Sequence, residues 1–374
     1  MNQIQEIAEK YHIANIGKSA DRVNNACPVA QVNEEFSPEN IALLSQKDGN
    51  ELIKSPLIWE CLTCGLCQEL SEGQMSDFIA EVREIAVNAG YKGTDTHGGM
   101  LLCAQRINAD PSQKPNRVKW ISDSLRVDYE KGDSVYWVGG APFFDAVLQQ
   151  PGAQDSAHAT IRLLNHLGIT PVILPDERFS GHDLLWTGDP EGFKKLAQQN
   201  IQAITKTGAK RVIVSSPEDY YTLAVSYKHY FDFDVDVCHI SELIAENLAK
   251  FTFARWETVV TYHDPCRLGR GMGVYEAPRR VLRSIPGVEL VEMEHTTNLS
   301  RCCGTSCWTN CTKYSKLMQV NRIKEANATG AEVMVTTCWE CAIHFRCTMQ
   351  ANAWQQANIE VKDLSVLASS LLQD

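Results

Sequence analysis

The 374-residue sequence predicts an α/β protein: a helical N-terminal part over residues 1–130, then two pseudo-repeated parallel α/β domains over 131–254 and 255–374. Three observations predict it. Residues 1–130 carry helical patterns and no convincing alternating strand. From about residue 132, short β-branched runs alternate with helical segments, the pattern of a layered parallel sheet. The order and spacing of those elements then occur twice.

In the N-terminal part, Ser76 and Asp77 are set to cap the amphipathic run Phe78–Val87, and Gly90 ends it. The stretch 109–116, with Pro111 and Pro115, breaks the helical pattern and leads toward the next domain. Beyond it, Ser134–Val138, Pro171–Leu174, Arg211–Val214, Thr258–Tyr262, Glu289–Met293 and Glu332–Thr336 read as strands. His158–Leu167, Pro190–Ile204, Asp219–Phe231, Tyr275–Ile285, Thr312–Asn327 and Cys341–Asn352 read as helices. Short continuous apolar strands suit a sheet covered on both faces.

Hydrophobic residues make up 44% and charged residues 22%, an ordinary globular composition. The net charge of -11 and pI near 5.4 argue against sequence-independent nucleic-acid binding. The polar opening and the lack of an 18-residue apolar run lead us to expect a cytoplasmic chain without leader or membrane span. In such a setting 14 cysteines are metal or redox ligands rather than disulfides. They fall into two groups, one in each outer third, with Cys238 alone between them.

Cys61, Cys64 and Cys67 form a Cys-x2-Cys-x2-Cys segment, which places three thiolates around one cubane of iron and sulfide. The local fourth position is Ser71, but Cys27 stands in a Cys-Pro pair, the place from which two-cluster ferredoxins take a crossed fourth ligand. Cys27, Cys61, Cys64 and Cys67 are therefore expected to hold one [4Fe-4S] cubane. Cys103 is the competing fourth ligand, otherwise a buried small hydrophobe. A four-cysteine zinc site is the alternative, although zinc more often takes two Cys-x-x-Cys pairs.

In the last third, Cys266, Cys302-Cys303-Gly304 and Cys338-x-x-Cys341 are separated by 35 and 34 residues, and they lie at strand ends or in the following loops. That is where parallel sheets build their crevice. In the preceding half the corresponding places hold Ala141, Phe179-Ser180 and Ser216…Asp219, with intervals of 37 and 35. One half of a duplication thus keeps its ligands and the other has lost them.

The Cys-x35-Cys-Cys-x34-Cys-x-x-Cys pattern resembles the cysteine-rich CCG domain of heterodisulfide reductases. The stretch HDPCRLGRGMGVYEAPRRVL at 263–282, Glu177 and Thr187-Gly188-Asp189 add to the likeness, and the N-terminal part is similar to the helical ferredoxin-type C subunit. Nearly the whole chain resembles a C-plus-B fusion of the D- or K-subunit kind. The resemblance implies a non-cubane [4Fe-4S] cluster at Cys266, Cys302, Cys303, Cys338 and Cys341, with zinc as the rival occupant. It implies disulfide reduction or thiol oxidation there, fed through the cubane, as part of sulfur metabolism. The implied partners are a flavoprotein or a membrane quinone-reactive subunit, and a disulfide or thiol substrate, in one version carried on a small sulfur-carrier protein. Peripheral membrane attachment would come through such a partner.

His263 is a candidate proton donor to a leaving thiolate, or else a hydrogen-bonded strand-end residue; His344 is a second candidate. Arg267 and Arg270 read either as binders of an anionic substrate group or as surface ion pairs. Cys307 and Cys311, four apart, share a face if their segment is helical, and are extra ligands, a redox pair or core residues. Cys238 and Cys347 read as packing residues. The rival functions are a non-catalytic electron-transfer subunit linking a dehydrogenase to quinone, and a structural zinc scaffold.

Overall fold

A computed structural model describes residues 3–93, 96–148, 152–307, 311–350 and 359–373. Up to Asn108 the described chain is helical, in short pieces such as Ala20–Ala26, Leu57–Glu60 and Leu66–Leu70, with the longer helix Met75–Asn88 among them. That helix starts one residue ahead of the expected Ser76 cap, behind Gln74, which makes no side-chain capping bond. Its buried face, with Phe78, Ile79 and Val82, packs into the N-terminal core.

The rest builds two parallel sheets. The first is β1 (Ser134–Trp137), β2 (Arg211–Val214) and β3 (Asp236–His239), in the order β1-β2-β3. The second contains β4 (Thr258–His263), β5 (Val288–Val291), β6 (Val333–Thr336) and β7 (Glu360–Asp363), in the order β5-β4-β6-β7. The expected strand Pro171–Leu174 shrinks to Val172, which bridges Asp128 and Val135 in parallel. With Val172 in the place of β5, the two sheets have one topology. Strands β3 and β7 escaped the sequence reading because each is a short edge strand with the same half-exposed burial, too polar for an apolar-run signal.

Register fixes the equivalences. Trp137 pairs with Val214 and Val214 with His239; His263 pairs with Thr336 and Thr336 with Asp363. Ser216 therefore matches Cys338, and Gly140, not Ala141, matches Cys266. Tyr136 Oη lies 2.9 Å from Ser215 Oγ, and its counterpart Tyr262 Oη lies 2.7 Å from Thr337 Oγ1. The repeats also exchange helix contacts: Ala153–His166 packs on Leu364–Leu371, and Ile240–Glu246 packs on Glu276–Ser284. One continuous apolar core spans both.

The helix expected over Asp219–Phe231 is broken into Pro217–Tyr221, a π-helical turn Thr222–Tyr227 and Lys228–Tyr230. Among the described residues no helix is long and apolar enough to cross a membrane.

Candidate metal centres

Cys27 ends the helix Ala20–Ala26 and Cys61 ends Leu57–Glu60. The chain then turns through Thr63 (φ 47°) and Gly65 (φ 77°) into Leu66–Leu70, which carries Cys67. Gly65 supplies the left-handed turn at no steric cost; β-branched Thr63 does so under strain. The result is an apolar pocket walled by Cys27, Cys61, Cys64 and Cys67 together. Burial pushes the Cys27 thiol up to about 12 and raises Cys61 and Cys67. Thiolates there need a positively charged partner, as an iron–sulfur cluster supplies. Cys103 stands apart: it is exposed on the helix Met100–Asn108, while Leu101 and Leu102 fill the core, so it is not the buried hydrophobe expected.

Three guanidinium groups hold the cysteine turn by its carbonyls. Arg83 donates to Cys61 O (2.6 Å), Arg267 to Thr63 O (2.9 Å) and Arg270 to Cys64 O (2.7 Å). Arg267 also donates to Thr63 Oγ1 and lies over the rings of Trp186 and Tyr221. Of the two readings of Arg267 and Arg270, the surface ion pair is not formed among the described residues: both are bound to backbone carbonyls.

The five C-terminal cysteines converge. Their thiols neighbour one another in the order Cys266, Cys302, Cys303, Cys341, Cys338, each close enough to perturb the next. The Cys341 N–H also donates to Cys338 Sγ (3.2 Å). Cys303, in the middle, is lowered to about 6 by the bonds it accepts from Cys302 and Cys341. Gly304 (φ 84°) lets the helix Lys313–Ala328 approach: a Cβ there would sit 2.9 Å from Ser315 O. All five cysteines are free, and five converging thiols exceed the four ligands of a structural zinc site. The donor set therefore fits an iron–sulfur cluster.

His263 does not have the setting of a protonated donor. It is fully buried, its Nδ1 accepts from Arg322 Nε (3.2 Å), and its ring stands edge-on to Phe345. Burial and the Arg322 charge hold it well below its ordinary value, so it is neutral. The histidine that touches a thiol is His344, with Nδ1 3.3 Å from Cys303 Sγ. Glu340 Oε2 lies 3.3 Å from Cys338 Sγ. Both residues ride on the helix Trp339–Gln350 that follows Cys338; the sequence places them there, but not their contacts.

A model of the cysteine-rich CCG domain matches residues 142–224 and 260–346. The D subunit of the dihydromethanophenazine:CoB–CoM heterodisulfide reductase of Methanosarcina acetivorans is 31% identical over 328 residues, covering 83% of this chain and 77% of that one. The chain belongs to the heterodisulfide reductase-like family of iron–sulfur proteins. A probable membrane-anchored ferredoxin of Chromohalobacter salexigens is 29% identical, over 79% of this chain and 45% of its own length. A hypothetical protein from Helicobacter pylori shares the fold, with a TM-score of 0.63 at 11% identity, over all of this chain and 77% of its own.

In this heterodisulfide reductase-like iron–sulfur oxidoreductase subunit, the first repeat has refilled the place of the thiols. A Cβ at Gly140, opposite Cys266 in the repeat, would lie 2.3 Å from the Phe144 ring. Phe179, in the place of Cys302, stacks on Phe143 at 4.8 Å, with the Arg117 guanidinium over both rings. Buried Glu177 pairs with Arg117 (3.0 Å) and accepts the N–H groups of Val138 and Gly139. Ser216 Oγ donates to Glu340 Oε1 (2.7 Å), joining the two repeats.

Cys307 is separated from Cys311. It is buried, at φ 53°, within 4.8 Å of the ligand atoms of His182 and Asp183. Arg267 Nε faces His182 Nε2 (3.3 Å), and Asp183 and Glu218 face Nδ1 (3.1 and 3.3 Å). That cluster contains its own cation. Cys311 is exposed and lines a pocket with Cys347 and His344; residues 308–310 between the two cysteines lie outside the described residues. Cys238 and Cys347 are half-buried, and Lys316 Nζ lies 3.2 Å from Cys347 Sγ. The segment Gly269–Met272 is a single helical turn beside Cys266.

Proposed function

We propose that this chain is the sulfur-active subunit of a heterodisulfide reductase-like complex, reducing a disulfide or oxidising thiols. The observation that carries this reading is the cluster of five neighbouring thiols in addition to a separate four-thiol pocket. Cys27, Cys61, Cys64 and Cys67, in a helical domain over 1–130, would hold a [4Fe-4S] cubane. Cys266, Cys302, Cys303, Cys338 and Cys341, in the domain over 255–374, would hold a non-cubane [4Fe-4S] cluster. The domain over 131–254 would hold none, since Phe144 and Phe179 occupy the space. The bound clusters supply one-electron transfer to or from a substrate sulfur. In the reducing direction one disulfide takes two electrons and two protons and leaves as two thiols. The chain's own contribution is to bury the thiols away from water and to place His344 and Glu340 against Cys303 and Cys338. A flavoprotein or a quinone-reactive membrane subunit would exchange the electrons.

The likeness to a membrane-anchored ferredoxin favours a second reading, a non-catalytic electron carrier. Anaerobic purification with iron, sulfide and zinc analysis, followed by EPR with and without a disulfide, tests both. About eight irons per chain, with a C-terminal signal that changes on adding a disulfide or thiol, supports the first. Eight irons with no response to any sulfur compound supports the second. About four irons with stoichiometric zinc overturns both.

A further inference from the structure

We propose that Arg270 is the positioning residue that couples the two cysteine sites, electrically and mechanically. The inference rests on the two-cluster reading above. One side chain reaches two cysteine loops, and the backbone beside it reaches a third. Arg270 Nε donates to Cys64 O (2.7 Å), in the N-terminal turn. Its Nη1 donates to Ser300 O (2.6 Å), two residues before Cys302. The next residue, Gly271, donates its N–H to Cys266 O (3.0 Å). A hydrogen-bonded route thus runs from the Cys64 backbone through the guanidinium and its main chain to Cys266. Cys64 and Cys266 also wall one pocket with Arg267 and Arg270.

The charge matters as much as the path. Among the described residues neither Arg267 nor Arg270 has a carboxylate ion-pair partner within 4 Å, and both are bound to carbonyls instead. Their positive charge is left to act on the thiolates and on electrons added beside them. The guanidinium fork is what lets one residue hold the carbonyls of Cys64, Asn298 and Ser300 at once; a lysine offers the charge without the planar fork.

The test uses the full chain with its clusters assembled, comparing wild type with Arg270→Gln, Arg270→Lys and, as a control, Arg283→Gln, whose exposed side chain pairs with Glu276. The readouts are iron content, potentiometric EPR titration and the rate of electron equilibration between centres after flash reduction. Arg270→Gln is expected to keep its iron and to lower the N-terminal midpoint, shifting electron partition about tenfold, or about 59 mV for one electron. Equilibration slows by about tenfold or more, the scale of about 1.4 kcal/mol on the barrier. Arg270→Lys keeps the midpoint and shows the slower rate. Wild-type midpoint and rate in an iron-replete Arg270→Gln overturn the proposal. If Arg270→Gln loses iron, a wild-type rate in Arg270→Lys overturns it. A wild type lacking two clusters instead refutes the functional reading, and iron analysis shows this before any variant is made.

Discussion

The two repeats share a sheet order, a buried tyrosine–hydroxyl bond and a capped final helix, yet only the second gathers cysteines. In the first, Gly140, Phe179, Ser180, Ser216 and Asp219 stand where Cys266, Cys302, Cys303, Cys338 and Cys341 stand in the second. The space is not left open. Phenylalanine rings fill it, and Arg117 meets Glu177, which also takes two backbone N–H groups. The difference shows that aromatic rings and a buried Arg–Glu pair can fill, at the strand ends of this sheet, the volume that thiols take in its twin.

The largest effect expected is that of Cys303→Ser, which removes the central thiol of the second repeat. Iron falls by about four per chain and sulfur chemistry is lost, while the N-terminal EPR signal persists. Cys27→Ser should do the converse, with Cys103→Ser as the silent control; a cubane that survives Cys27→Ser breaks the assignment of the fourth ligand. In the first repeat, Glu177→Ala leaves the Arg117 charge buried and unpaired. It should cost about 3–5 kcal/mol in denaturant melts and leave iron content unchanged; a loss of iron would place metal in the repeat read here as lacking it.

The finest test of the comparison is pH. His239 and Asp363 occupy equivalent positions, and each accepts from the N–H two residues on, Ser241 or Ser365. Burial lowers His239 to about 4 from 6.5. Its contribution is full above pH 6.5 and is lost as pH falls through about 4. Burial raises Asp363 to about 6 from 3.8, so its contribution is full below pH 3.8 and is lost as pH rises through about 6. Each is on the order of a few kcal/mol, and they oppose one another across the same window. In urea midpoints between pH 4 and 6.5, His239→Asn should therefore tilt stability toward acid and Asp363→Asn toward neutral pH. Parallel slopes in the two variants would remove the antagonism.

Much of this was legible in the sequence, because cysteine spacing and β-branched runs are local signals. Six strands were read from apolar runs; β3 and β7 were not, being short and half-exposed at sheet edges. Convergence of Cys266, Cys302, Cys303, Cys338 and Cys341 followed from strand-end placement. The one-residue offset between Ala141 and Gly140 needed the strand register, which spacing alone does not set. The roles of Arg83, Arg267 and Arg270 were hidden because a backbone carbonyl leaves no mark in sequence. His263 was singled out for its nearness to Cys266 along the chain, whereas His344 reaches Cys303 through space.

The exchange of helices between the repeats has a consequence for how such a gene can change. Leu364–Leu371 of the cysteine-bearing repeat lies on Ala153–His166 of the other, and Glu276–Ser284 lies on Ile240–Glu246. Neither half has a finished interior of its own. A change in one copy is therefore free to rewrite its side chains but not to delete it, since each copy is a mould for the other.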